Sequence, residues 1–326
     1  MESKEEKEEK ERILKLVLDH YDDELDIFHT FMEDLGYSTH TIRSYMSDVH
    51  LFLVFLYEQS NELVSIETVV TKTIQEYLRK TQKGKAKTTR NRRLMALRTF
   101  FKSLIKQDIV TINPASEIDM AKTEKNSLPT YLNDEELQLL FQCIKHDQYH
   151  IRNKCILMLM SLAGLRVIEI HNLNITDLIR DENEPGINVL GKGNKERYIP
   201  LPKILFDLLL EYEKMYRPTP KKEHTNAFFV SKKGERISRR RVQAISEDVF
   251  NKLKSLPEST YLQEKPLSSH KLRHTFGTRL VRAGVDLVTV QELMGHTSLS
   301  TTQIYTHVNN KQKQEAMRNN DVSKFF

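Results

Sequence analysis

The stretch from Pro266 to Val308 reads PLSSHKLRHTFGTRLVRAGVDLVTVQELMGHTSLSTTQIYTHV, and its caps and glycines leave room only for short helices in close succession. On the first of these, His270 and Arg273 lie three apart and therefore share a face. Gly284 closes that helix, and Asp286 is placed to cap the next, which runs through Val290 and Leu293 and stops at Gly295. His296 follows just past this helix end. Ser298 or Ser300 can cap a last short helix, on which Tyr305 is one turn from Thr301 and Thr302.

Two histidines, an arginine and a tyrosine with no carboxylate among them suit a target that is itself an anion. Arginine offers a planar fork that matches two phosphate oxygens, and histidine can hold or pass a proton. Tyrosine would be the nucleophile. Its hydroxyl, with a reference pKa of about 10, needs nearby cations and a proton acceptor to attack at neutral pH.

These residues resemble the second motif box of the tyrosine site-specific recombinases, which include phage integrases and the Xer recombinases. That box is H-x-x-R, then G-H, then a tyrosine nine residues later, matched here by His270-x-x-Arg273, Gly295-His296 and Tyr305. Upstream, AGLRVIEI at 163–170 looks like the first box and supplies Arg166 and Glu169. GKGNKER at 191–197 looks like the β-hairpin lysine motif and supplies Lys192, with Lys195 as the alternative. The resemblance spans roughly residues 25–310. It implies a mainly α fold: an N-terminal helical-bundle core-binding domain, then an α+β catalytic domain with a small antiparallel three-stranded sheet.

Charge along the chain agrees with a nucleic-acid partner. Residues 1–26 hold five Lys/Arg against eleven Asp/Glu, leaving the remaining 300 with 45 against 34. An acidic appendage on a basic body is the footprint expected of a nucleic-acid binder. Two cysteines, Cys143 and Cys155, in apolar surroundings make no metal or disulfide framework and suit a reducing cytosol. No apolar run approaches the ~20 residues of a membrane span, and the charged N-terminus is unlike a signal peptide, so a cytoplasmic protein is expected.

In order, residues 1–22 read as a charged extension, helical or disordered, with few apolar residues before Ile13. Residues 23–118 read as four helices: about 23–35, a second from a Ser38/Thr39 cap, a third near 71–80, and a fourth from Thr88. The fourth turns Leu94, Leu97, Phe100, Phe101 and Leu104 inward, with Arg90, Arg92, Arg93 and Arg98 expected to look outward. In the family such a bundle clamps one side of DNA, which makes Arg90, Arg92 and Arg93 candidate phosphate contacts. Residues 119–130 are polar and aperiodic and read as a linker. The second domain, 131–308, opens with a helix capped by Asn133 or Asp134, followed by a strongly apolar helix over about 150–163. Residues 187–201 read as a hairpin, AFFV at 227–230 as a third strand, and SKKGERISRRR at 231–241 as a basic surface led by Arg239, Arg240 and Arg241. Residues 309–326 read as a tail; the resemblance implies that such a segment is exchanged between protomers, with Phe325 and Phe326 as its anchor.

The resemblance implies Arg166, Lys192, His270, Arg273, His296 and Tyr305 as catalytic residues, with Glu169 in support. It implies a double-stranded recombination site as substrate, four protomers on two duplexes, and a phosphotyrosyl intermediate that needs neither metal nor ATP. The sequence agrees in offering no Walker loop and no carboxylate cluster for magnesium. Three rivals have a residue-level basis. A zinc site on His270, His274, His296 and His307 is opposed by HKLRH standing where HExxH is needed, with two basic residues beside the cation. An inactive DNA-binding protein has no use for the complete set of reactive residues. A type IB topoisomerase shares the chemistry, but a short chain with a small N-terminal bundle fits a recombinase better.

Overall fold

The computed structural model of the chain describes residues 4–82, 84, 86–122, 130–191 and 196–295. It divides into two compact units, Met1–Asn126 and Ser127–Phe326.

The N-terminal unit is all helical among the described residues: α1 (Lys4–His20), α2 (Asp22–Asp34), α3 (Thr39–Ser60), α4 (Thr71–Gln82) and α5 (Lys87–Lys106). Ser38 caps α3 by accepting the Thr41 amide at 3.2 Å, satisfying one of the donors that a helix start leaves open. Leu94, Leu97, Phe100, Phe101 and Leu104 of α5 are wholly buried, and Phe100 meets Phe28 of α2 edge-on at 5.4 Å.

Two expectations for this unit need correcting. Helix α1 is not a free appendage, because Val17 is fully buried in the bundle core with Ile13 and Leu18 packed against it. Nor do all four arginines of α5 look outward. Arg93 is buried, donating to the Thr81 carbonyl at 3.1 Å and facing the buried Asp48, while Arg98 binds the carbonyls of Ala115, Ser116 and Ile118. A guanidinium with five donors can knit a loop to a helix where backbone carbonyls would otherwise go unpaired. Arg92 is exposed, with Nη1 2.9 Å from Asp48, and Arg90 reaches the Asp119 carbonyl at 3.0 Å.

The C-terminal unit begins with α6 (Asp134–Gln142), where Asn133 and Glu136 form a reciprocal capping box. It continues through α7 (His150–Leu162), α8 (Val167–Asn172), α9 (Lys203–Glu211), α10 (Arg239–Ser255), α11 (Ser269–Arg282) and α12 (Leu287–Met294). Cys155, Ile156, Leu157, Leu159 and Met160 make α7 the buried centre, against which α11 packs. Three antiparallel strands lie in the order β1 (Leu178–Ile179), β2 (Gly186–Leu190) and β3 (Glu196–Pro200), with Val189 opposite Arg197 and Ile187 opposite Ile199. The expected hairpin is thus β2–β3, but the third strand is β1 rather than 227–230. AFFV is instead a buried apolar segment touching its neighbours by single bridges, Asn174 to Ala227 and Val230 to Arg236.

One turn sets the geometry of everything that follows. Helix α7 ends at Gly164 in a left-handed conformation, φ +69°, and a Cβ placed there would lie 2.4 Å from the Phe276 ring of α11. Gly164→Ala should therefore force α11 to move or the turn to reopen, lowering the stability of this unit by about 2–4 kcal/mol in urea unfolding.

Candidate active site: three guanidiniums on one buried carboxylate

The turn at Gly164 delivers Arg166 to the start of α8 in an extended conformation, with Glu169 one turn further on. The Arg166 amide donates to Glu169 Oε2 at 2.8 Å, and Nη1 of the same arginine donates to Oε1 at 2.7 Å. Its Nη2 donates to the Gly295 carbonyl at 3.1 Å, at the end of α12. Backbone and side chain of Arg166 are thus held by one carboxylate, which fixes where its guanidinium can point.

Arg273 reaches the same place from α11. It is buried, donates through Nη1 to the Gly164 carbonyl and through Nη2 to the Met294 carbonyl, and has Nη1 3.7 Å from Glu169 Oε2. Here the left-handed turn finds its use: it presents the Gly164 carbonyl to the arginine. Gly295, at φ +60°, closes α12 in the same way, while Asp286 opens that helix by accepting the amides of Val288 and Thr289, both at 2.9 Å.

A third guanidinium, absent from the sequence reading, completes the cluster. Arg197 of β3 binds both oxygens of Glu169 in a fork, Nη1 to Oε1 and Nη2 to Oε2 at 3.0 Å each, and its Nε donates to the Leu293 carbonyl at 2.9 Å. The signal for it was strand alternation. Arg197 and Ile199 lie on one face of β3, opposite Val189 and Ile187, so this arginine had to point into the unit and find a partner there.

Glu169 is only 3% exposed. Burial alone would raise its pKa, but the Arg197 fork and charge, the Arg166 amide and the charge of Arg273 outweigh it and hold the carboxyl below its usual value. With three cations on one anion, the cluster retains excess positive charge at the edge of the core, an arrangement suited to an incoming anion.

The other expected residues fall as follows. His270 is exposed on α11, three residues before the buried Arg273. Burial, helped by Lys271, His270 and Arg273, pushes His274 down to about 4, so it is neutral at physiological pH. Arg239, Arg240 and Arg241 are exposed in the first turn of α10, where Ser238 accepts the Arg241 amide. Arg236, from the same basic run, instead binds the carbonyls of His171 and Leu173 and Asn174 Oδ1. Lys192, Lys195, His296, Tyr305 and His307 lie outside the described residues. Among the described residues no three His, Cys, Asp or Glu side chains are grouped as a metal site requires, and no helix is long and apolar enough to cross a membrane.

Glu169→Gln keeps the shape of this side chain but leaves three guanidiniums without their shared counter-charge. A loss of about 3–5 kcal/mol at pH 7 is expected. Because the folded carboxyl releases its proton more readily than the unfolded one, its contribution is complete above about pH 4.3 and is lost as pH falls through the depressed folded value. Urea unfolding at a series of pH values should therefore show the gap between wild type and variant closing below about pH 4.

Comparison with known proteins agrees with this geometry. The Phage integrase family pattern matches residues 130–312, and that of the phage integrase N-terminal SAM-like domain matches residues 25–108. The tyrosine recombinase XerC of Staphylococcus epidermidis is 37% identical over 286 residues, covering 87% of this chain and 92% of that protein. Among solved structures, the XerH site-specific recombinase bound to palindromic difH substrate, a post-cleavage complex, superposes with a TM-score of 0.69. Its identity is 26%, with 83% of this chain and 78% of that one covered. The Tn1549 transposon integrase shares the fold, with a TM-score of 0.68 at 19% identity over 90% of this chain and 98% of that one. With its basic cluster built on the first-box arginine and the H-x-x-R helix, and with family matches over most of its length, this chain belongs to the phage integrase family of tyrosine recombinases.

Proposed function

We propose that this protein is a site-specific DNA recombinase that cuts and rejoins duplex DNA through a covalent phosphotyrosyl intermediate. The observation that carries the reading is the convergence of Arg166, from the turn that opens α8, and Arg273, from α11, on the buried Glu169. Phosphoryl transfer asks little covalent chemistry of a protein beyond aligning nucleophile and leaving group and stabilising charge on the non-bridging oxygens. Two arginines held by a carboxylate and by backbone carbonyls meet that second demand with little reorganisation.

In this reading the Tyr305 oxygen attacks the scissile phosphorus in line, and its O–P bond forms as the P–O5′ bond breaks. His270 helps to take the phenolic proton, His296 donates a hydrogen bond to a non-bridging oxygen, and Lys192 gives a proton to the departing 5′ oxygen. A 3′-phosphotyrosyl ester and a free 5′-hydroxyl result. That hydroxyl then attacks the ester on a partner strand, by way of a Holliday junction. One ester replaces another, so the step requires neither ATP nor a metal ion.

The substrate is a double-stranded recombination site. Arg239, Arg240 and Arg241 on the first turn of α10, with Arg90 and Arg92 of α5 and Lys195, which precedes β3 in the sequence, are the proposed phosphate contacts. The buried Arg93 supports the α5 face from within rather than meeting DNA itself. Four copies on two duplexes, in the cytoplasm, with residues 309–326 exchanged between copies, complete the proposal. The identity to XerC proteins favours an Xer-like role over integration or excision of a mobile element, the reading that the fold of the Tn1549 integrase keeps in view.

The test begins by crosslinking the protein to its host genome and recovering the bound sequence. A duplex carrying that sequence with a nick beside the scissile phosphate is then incubated with the full chain. A protein–DNA adduct that resists denaturation should form with wild type, persist in EDTA and vanish in Tyr305→Phe. Lys192→Ala should slow its formation by about 10²- to 10⁴-fold. No adduct from wild type, or an adduct that survives Tyr305→Phe, would contradict the mechanism.

A further inference from the structure

We propose that Arg197 is a positioning residue for strand cleavage, one that makes the seating of strands β2 and β3 and the aim of Arg166 and Arg273 a single event. This rests on the recombinase reading above. Three elements meet at its guanidinium. The side chain comes from β3, which begins four residues after Lys192 in the sequence; its fork grips Glu169 of α8, and its Nε holds the Leu293 carbonyl near the end of α12. The chain leaves α12 through Gly295, where an added Cβ would lie 3.0 Å from Arg197 Nη1, and continues at once into His296. Arg197 is therefore wedged between the carboxylate that orients Arg166 and the turn that leads to a proposed phosphate-binding histidine.

The local charge argues that this contact is more than a staple. Arg197 is the chief partner holding Glu169 ionised, so its loss costs stability, but its contacts reach further than that charge requires, to the end of α12 as well as to α8. What the third cation adds is a mechanical link. If β3 shifts relative to α8, the Arg197 fork must drag Glu169 with it, and Arg166 follows. A lysine cannot replace this link, because it has one nitrogen where Arg197 uses three.

The test measures single-turnover adduct formation by the full chain on the nicked duplex described above, at saturating protein, alongside affinity for the same duplex and urea stability. Conditions are chosen in which every variant is folded. Arg197→Lys and Arg197→Met should each slow the saturated rate about 10- to 100-fold, the scale expected when a reactive group is displaced by about an ångström, with affinity within about threefold of wild type. Lysine keeps the charge and is the milder change, so it decides the question should the methionine variant not fold. If Arg197 acts through Glu169, then Arg197→Lys combined with Glu169→Gln should be about as slow as the slower single variant. An unchanged saturated rate in Arg197→Lys, or losses that multiply in the double variant, would overturn the proposal. Failure of wild type to form any adduct would instead sink the recombinase reading itself.

Discussion

The carboxylate of Glu169 sits inside the protein and is met by three guanidiniums, from the loop before α8, from β3 and from α11. A lone buried carboxylate would be costly, and three clustered guanidiniums would repel one another and unfasten the elements that carry them. Each therefore makes the other tolerable. Their sum is a site with more positive than negative charge, held in place by the protein's own groups. Such preorganisation is what charge stabilisation in a transition state requires.

Around this cluster the backbone acts as a second set of ligands. The carbonyls of Gly164, Leu293, Met294 and Gly295 each accept from one of the arginines, and two of them belong to glycines with positive φ. Helix ends leave carbonyls without intrahelical partners. The ends of α7 and α12 turn that deficit into use, offering their last oxygens to guanidiniums that would otherwise need more carboxylates. Neutral oxygens orient an arginine without cancelling its charge, which keeps the cluster attractive to phosphate.

Much of this was legible in the residues, and where it was not the reason is physical. The spacing of His270 and Arg273, the cap at Asp286 and the stop at Gly295 marked α11 and α12 because capping chemistry is local. Arg166 and Glu169 are visible as an i,i+3 pair, yet only the fold shows the carboxylate buried and shared among three arginines. Arg93 was placed on the wrong side of α5 because its charge outweighed its position: 93, 97, 100 and 104 form one helical stripe, and the stripe is the buried one. Ile13 and Val17 likewise form a stripe along α1, continued by Tyr21 just past its end, within a strongly acidic text. Arg197 is readable from strand alternation as an inward-facing charge on β3, but only the fold shows that its partner is Glu169. The two-residue strand β1 is too short to leave any periodic signal, whereas AFFV shows that a buried apolar run need not pair as a strand.

The central claim is that the arginines gathered by Glu169 are aimed at one phosphorus atom opposite the Tyr305 oxygen. The most direct measurement is a crystal structure of the full chain with orthovanadate captured between the two DNA ends at the cleavage position. The account predicts Arg166 and Arg273 within hydrogen-bond distance of equatorial vanadate oxygens, still anchored to Glu169, with the Tyr305 oxygen at one apex and the 5′ oxygen at the other. A vanadate whose apex is filled by any other residue, or one that neither arginine reaches, would contradict it.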